Sequence, residues 1–210
     1  MGDESEALRR VPRNSIASIV PCKDEEASVY RVMQDIAHAY TDLNILGEII
    51  VIDDGSSDNT FAEAQRFKQA EITDNSRARI KIIKHTVCRG LGYSFFQGVK
   101  EAESEFVILI PGDGENCPRD ALKLFPYLSL HADVIVPYAL NAHVRKRYRQ
   151  ILSKLFTRLI NVVFMVNYSY TNGTIIWRRS LYLALRPSSS GFDVYKRQIW
   201  RSRFYWTKRA

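Results

Sequence analysis

Glu48 to Thr60 reads EIIVIDDGSSDNT. Four β-branched apolar residues, Ile49 to Ile52, run without alternation into the turn cluster Asp53-Asp54-Gly55-Ser56-Ser57-Asp58. A short continuous apolar run closed by such a cluster predicts a strand buried on both faces. Asp58 is then the predicted N-cap of a helix over Asn59–Ala70. Buried strand, polar turn and helix make half of a βαβ unit, and such units build parallel sheets covered by helices on both sides.

The same order recurs outward from this stretch. Ile16–Val20 predicts a strand ending at Pro21. A helix over Glu25–Tyr40 follows from Val29, Val32, Met33, Ile36, Ala37 and Tyr40 at helical spacing. Ile80–Ile83 predicts a third strand, followed by the loop Arg89-Gly90-Leu91-Gly92 and a helix from Tyr93 to about Ala102. Phe106–Ile110 is a fourth strand, Pro118 belongs in the first turn of the next helix, and Val134–Val136 is a fifth strand. The fold class is therefore α/β, a Rossmann-like, mostly parallel sheet flanked by helices. In such sheets ligands bind beyond the carboxyl ends of the strands. Three strand ends carry the most polar stretches: Pro21-Cys22-Lys23-Asp24-Glu25, Asp53-Asp54-Gly55-Ser56 and Gly112-Asp113-Gly114-Glu115. The topology brings them toward one crevice. No internal repeat or low-complexity tract is present.

The 210 residues suffice for one domain with a full core, and 46% hydrophobic with 25% charged residues exclude wholesale disorder. The net charge of +7 conceals an asymmetry. Residues 1–133 carry 15 basic and 22 acidic side chains, whereas residues 134–210 carry 15 basic ones and Asp193 as their one acid. Such a split predicts that the C-terminal part faces an anion, whether a diphosphate, a lipid phosphate, an anionic lipid headgroup or nucleic acid, although a solvated basic surface gives the same pattern. Cys22, Cys88 and Cys117 match no zinc spacing and are expected as buried, inert thiols in a reducing compartment. Residues 1–14 read as a polar leader without a signal-peptide core, and Glu6 breaks the myristoylation pattern. The longest apolar stretch, Ile151–Val166, is too interrupted for a membrane span.

Chemistry follows from the strand ends. Carboxylates at Asp53 and Asp54 can accept hydrogen bonds from a nucleobase or ribose, and Gly55 permits the tight turn. Asp113 and Glu115, two apart in a turn, can converge on one hard cation, Mg2+ or Mn2+, bridging them to a diphosphate. Each of these motifs taken alone also reads as a solvated turn. Gly90-x-Gly92 lacks the third glycine of a dinucleotide fingerprint, since Phe95 stands there. His38, His85, His131 and His143 form no HExxH or triad pattern and are expected to be structural or on the surface. Arg145-Lys146-Arg147-Tyr148-Arg149 opens a basic amphipathic helix in which Arg149 and Ser153 share a face. Its apolar stripe suits either a membrane interface carrying a lipid phosphate or an ordinary core contact.

In this order, the motifs resemble family 2 glycosyltransferases of the GT-A (nucleotide-diphospho-sugar transferase) fold, in particular the dolichol- and polyprenol-phosphate mannosyltransferases and their bacterial relatives. The likeness rests on SIVPCKDEE at Ser18–Glu26, EIIVIDDGSSDNT, RGLG at Arg89–Gly92, FVILIPGDGE at Phe106–Glu115 and Asn172-Gly173 with Thr174–Arg179. It spans roughly residues 15–185. The last segment resembles the part of the family that closes over the sugar.

The resemblance implies that Pro21, Asp24, Glu25, Asp53 and Asp54, with Gly55, Arg89 and Gly90, hold the sugar nucleotide. It implies that Asp113 and Glu115 take the metal and diphosphate, and that Arg145, Arg149 and Ser153 bind donor or acceptor phosphates. The implied partners are a GDP- or UDP-sugar and a polyprenyl phosphate, with peripheral membrane contact or a membrane partner protein, at the cytoplasmic face of a membrane. Nucleic acid is not an expected partner, because no nucleic-acid-binding motif accompanies the basic charge.

This sequence departs from the family pattern at three places. Asp24 stands where Asn is usual. Gly-Asp-Gly-Glu replaces the DxD, with Asp113 one residue out of phase counted from Pro118. Tyr168-Ser169-Tyr170-Thr171 replaces an acidic position before Asn172.

The implied activity is inverting hexosyl transfer, with mannose or glucose as the sugar. The alternatives are transfer to a glycan hydroxyl, or a nucleotide-sugar-binding remnant without turnover. The domain is expected over 15–192. Residues 193–210 read as a basic aromatic tail, either membrane-contacting or a truncated end, the second being favoured.

Overall fold

A computed structural model describes residues 14–71, 77–123, 125–128, 132–135, 147–164 and 174–184. Four strands are parallel: β1 (Ser15–Cys22), β2 (Leu46–Asp53), β3 (Ala78–Lys84) and β4 (Phe106–Leu109). Two short strands complete the sheet, β5 (Val134–Ile135) and β6 (Ile176–Arg178), giving the order β3-β2-β1-β4-β6-β5. Strand β6 lies antiparallel between β4 and β5. It was not among the five strands legible in the sequence: three residues are too few for a periodic signal. Ile176 and Trp177 are nonetheless fully buried.

Alternate residues of the central strands supply two cores, which is why their sequences are apolar throughout. On one face Ile16, Val20, Ile49 and Val51 meet Val32, Met33 and Ile36 of α1 (Val29–Asp42) and Phe67 of α2 (Thr60–Ala70). Leu122 of α4 (Pro118–Leu122) and Phe125 of α5 (Phe125–Leu128) join this layer. On the other face Ala17, Ile19, Ile50 and Ile52 meet Phe95 and Val99 of α3 (Leu91–Glu101) and Tyr182 of α7 (Arg179–Ala184). Gly98 allows α3 to lie close to β1, since a Cβ there would stand 2.4 Å from Ile19 Cγ2.

Several boundaries differ from the sequence reading. Helix α1 starts at Val29 rather than Glu25, because the backbone amides of Asp24, Glu25 and Glu26 are tied to the loop after β2. Helix α3 starts at Leu91, two residues early, on Gly90 at φ 89°. Asp58 does not occupy the N-cap of α2; that position is Asn59. Asp58 still accepts the Thr60 amide at 3.0 Å and so satisfies one of the helix's free donors. Pro118 opens α4 as expected.

The basic segment forms the long helix α6 (Arg147–Phe164). Of the two readings of its apolar stripe, the core contact is not the one adopted: Ile151, Leu152, Leu155, Leu159, Val162 and Val163 are exposed, while Thr157 is buried. Among the described residues no helix is long and apolar enough to cross a membrane.

Candidate nucleotide-sugar site

The carboxyl ends of β1, β2 and β4 form one edge because their registers align. Cys22 pairs with Asp53, and Asp53 with Lys84. The Asp54 amide donates to Cys22 O at 2.8 Å, the His85 amide to Asp53 O at 2.8 Å and the Gly112 amide to Pro21 O at 3.1 Å. The loops that follow are thereby stitched side by side. Gly112 is required there: a Cβ would stand 2.4 Å from Cys22 Sγ. Gly55, at φ 72°, leaves no room either, with a Cβ position 2.8 Å from the Cys88 nitrogen.

The β1 and β2 loops hold each other reciprocally. Asp24, in the left-handed region at φ 55°, accepts the Ser57 amide at 2.8 Å and the Ser57 hydroxyl at 3.0 Å. The aspartate at this family Asn position is compatible with that backbone, since both residue types visit the left-handed region readily. The Glu25 amide donates to Thr60 Oγ1 at 2.7 Å, and the Asn59 amide to Glu26 Oε2 at 2.9 Å. The Ser28 hydroxyl bridges toward the third loop, 2.9 Å from Glu25 Oε2 and 2.7 Å from Gly112 O.

The two aspartates of the DDGS turn are both buried, with different surroundings. Asp53 accepts the Ser56 amide at 3.0 Å through Oδ1. Its Oδ2 has no hydrogen-bond partner among the described residues, and the nearest cation is Lys84 Nζ at 4.0 Å. Asp54 is saturated. Oδ1 lies 2.7 Å from His85 Nδ1 and accepts the Arg89 amide at 2.8 Å; Oδ2 accepts the Gly90 amide at 2.7 Å and the Cys88 thiol at 3.3 Å. Burial works against ionisation of Asp54, but the bonds from His85, Arg89, Cys88 and Gly90 outweigh it and hold the carboxyl down at about 2.

His85 is the residue near the site that sequence reading passed over. It is buried, with Nε2 2.6 Å from Gln97 Oε1, so it ties Asp54 to α3. The available signal was its position one residue beyond a parallel strand. The expectation of three buried thiols holds for Cys22 alone; Cys88 and Cys117 are exposed because both lie in loops. Burial and the nearby carboxylates of Glu25, Asp53, Asp113 and Asp58 push the Cys22 thiol far up and keep it protonated.

Arg89 is exposed, its guanidinium resting on the Tyr93 ring and donating to Tyr93 Oη at 2.6 Å. Asp113 and Glu115 are exposed, and Asp113 Oδ1 accepts the Glu115 amide at 3.0 Å around Gly114 at φ 73°. No group of three or more His, Cys, Asp or Glu residues is arranged for a metal among the described residues. Two exposed carboxylates do fit an ion such as Mg2+ or Mn2+ that takes most of its remaining ligands from substrate phosphate and water. Arg149 and Ser153 fall on α6, and Arg145 and Asn172-Gly173 lie outside the described residues.

The six-stranded sheet with its flanking helices is shared with GT-A glycosyltransferases of known structure. A mannosyltransferase from Pyrobaculum calidifontis, solved with GDP-Man and Mn2+, superimposes with TM-score 0.62 at 17% identity, over 90% of this chain and 50% of that one. Glucosyl-3-phosphoglycerate synthase from Mycobacterium tuberculosis, solved with UDP, gives TM-score 0.65 at 18% identity, over 91% and 66% of the two chains. The model of the family described as glycosyl transferase family 2 matches residues 18–186. The chain belongs to that family.

The dolichol-phosphate mannosyltransferase of Pyrococcus furiosus is 27% identical over 143 residues, 66% of this chain and 38% of that protein. An undecaprenyl-phosphate 4-deoxy-4-formamido-L-arabinose transferase of Pseudomonas fluorescens is 25% identical over 128 residues, 61% of this chain and 36% of that protein. The chain thus spans well under half the length of these two relatives.

Proposed function

We propose that this chain is an inverting glycosyltransferase that moves a hexose, mannose or glucose, from a GDP- or UDP-sugar to a polyprenyl or dolichyl phosphate, working peripherally at the cytoplasmic face of a membrane. The observation that carries the donor half is the union of the β1, β2 and β4 loops, which gathers the carboxylates of Asp24, Glu25, Asp53, Asp54, Asp113 and Glu115 along one sheet edge. The acceptor half is supported by the substrates in the names of the two relatives and by the nine basic and no acidic residues over 134–192.

In this reading Pro21, Asp24, Glu25, Asp53 and Asp54 form the nucleoside end. Asp53 Oδ2 is the carboxylate oxygen left over for a nucleotide donor group, while Asp54 acts through the Arg89-Gly90 loop that it anchors. Asp113 and Glu115 would hold Mg2+ or Mn2+, which when bound neutralises charge on the departing diphosphate. Arg89 faces the same edge, and Arg145, Arg149 and Ser153 take phosphates of donor or acceptor.

An oxygen of the acceptor phosphate attacks the anomeric carbon as the bond to the diphosphate breaks on the opposite side, inverting the centre. That phosphate is already ionised at neutral pH, so no strong general base is needed. Positioning and electrostatic stabilisation carry the rate. Transfer of radiolabelled sugar to polyprenyl phosphate, with and without Mn2+, is the test. Failure with every common nucleotide sugar refutes the proposal.

A further inference from the structure

The buried ring of His85 reaches Arg89 by two routes. Through Asp54 it bears on the backbone: Nδ1 lies 2.7 Å from Asp54 Oδ1, the same oxygen that accepts the Arg89 amide at 2.8 Å. Through Tyr93 it bears on the side chain. The imidazole packs edge-on against the Tyr93 ring, 5.6 Å between centroids, and that ring carries the Arg89 guanidinium 4.9 Å from its centroid. Arg89 also donates to Tyr93 Oη at 2.6 Å.

The hydrogen bonds of the ring fix its proton count. Asp54 accepts from His85, Cys88, Arg89 and Gly90, and these bonds keep its carboxyl ionised. An ionised carboxylate only accepts, so Nδ1 of His85 carries a hydrogen. Nε2 stands 2.6 Å from Gln97 Oε1, again an acceptor, and carries one as well. Both ring nitrogens donate only in the imidazolium. A neutral ring fits the same place once Gln97 turns its amide nitrogen toward Nε2. The pair with Asp54 then carries a net negative charge instead of none.

The charged and titratable groups around the ring are Asp54 and Asp53 at the end of β2, Lys84 at 4.0 Å from Asp53 Oδ2, Cys88 and Arg89 on the following loop, and Tyr93 on α3. The imidazolium is the cation placed directly on Asp54. A diphosphate entering this carboxylate-lined edge meets one uncompensated charge fewer when His85 is protonated.

We infer that His85 is a positioning residue for the donor diphosphate, holding Arg89 through its backbone and its side chain and, as the imidazolium, cancelling the charge of Asp54. Donor affinity is thereby linked to one proton on His85, and binding of either favours binding of the other. The inference rests on the donor-site reading given above. The protonated ring favours the anion, so affinity is highest at the acid end and falls as the ring loses its proton. Histidine ordinarily does so between about pH 5 and 8. Loss of this cation should weaken donor binding on the order of tenfold.

The test is calorimetric titration of the full chain with GDP-mannose and with UDP-glucose, at fixed Mg2+, from about pH 5.5 to 8. A nucleotide sugar keeps its diphosphate charge across this range, whereas the terminal phosphate of a free nucleoside diphosphate titrates within it. His85→Asn retains a donor for Asp54 without a titrating group, so its affinity should match the high-pH plateau of the parent chain at every pH. Gln97→Glu sets a carboxylate against Nε2 and should move the fall to higher pH. In Cys88→Ala, which removes the other titratable side chain bonded to Asp54, the fall should remain. Thermal unfolding checks that each variant folds.

A merely bracing His85 would leave the parent profile flat. That outcome, or a fall that persists in His85→Asn, overturns the inference and leaves the donor site intact. Where His85→Asn does not fold, Gln97→Glu decides, and an unmoved fall overturns the inference. No binding of either nucleotide sugar at any pH overturns the donor reading and the inference together.

Discussion

His85 and Asp54 form a buried pair, Nδ1 to Oδ1 at 2.7 Å, at the point where β3 hands over to the loop that starts α3. The second ring nitrogen lies against Gln97, so the imidazole links a strand-end carboxylate to the body of the helix behind it. Replacing His85 by Ala leaves a buried carboxylate short of a donor, which costs about 2–3 kcal/mol. Urea unfolding of His85→Ala should show a loss of that size. Calorimetry should show weaker binding of a nucleoside diphosphate, because the Arg89-Gly90 loop loses its anchor.

Asp54 also predicts an acid limb. Its folded value, about 2, lies below its ordinary 3.8. The unfolded chain therefore takes up the proton first as pH falls. The stabilisation is complete above about pH 4 and should be lost progressively toward pH 2. In Asp54→Asn the unfolding free energy should start lower at neutral pH and lack this part of the acid decline. A decline of unchanged steepness in the variant refutes the assignment.

Gly112 and Cys22 should behave as a coupled pair. Gly112→Ala places a methyl 2.4 Å from Cys22 Sγ, and overpacking of this kind costs about 1–3 kcal/mol. Cys22→Ala frees that space at the cost of a small cavity. The double variant should be more stable than the sum of the two single losses requires, as a double-mutant cycle in chemical denaturation would show.

Asp113→Asn and Glu115→Gln bear on the metal. Each should weaken Mn2+ binding and lower kcat/KM for sugar transfer, on the order of a hundredfold for the carboxylate nearer the ion. Both residues are exposed, so their thermal unfolding should stay close to that of the parent chain. Chelation of divalent ions should abolish transfer, and added Mn2+ should restore it.

Much of this chain is decided locally. EIIVIDDGSSDNT specifies a doubly buried strand, a turn and a helix, because continuous β-branched residues demand cover on both faces and the aspartate–glycine cluster cannot extend a strand. The same grammar at Ser15–Cys22 and Phe106–Leu109 is enough to place the polar loops at one sheet edge. What the tertiary structure alone decides is who meets whom. The donors to Asp54 come from residues 85–90, on the far side of a helix and a strand, so local patterning could not show that its carboxylate is already filled or that His85 belongs with it. Strand β6 is too short to announce itself and is held by its neighbours β4 and β5. For α6 the spacing of Ile151, Leu155 and Leu159 gives a stripe but no direction. Periodicity fixes which residues share a face, and only packing against the rest of the chain fixes whether that face turns inward or, as here, outward.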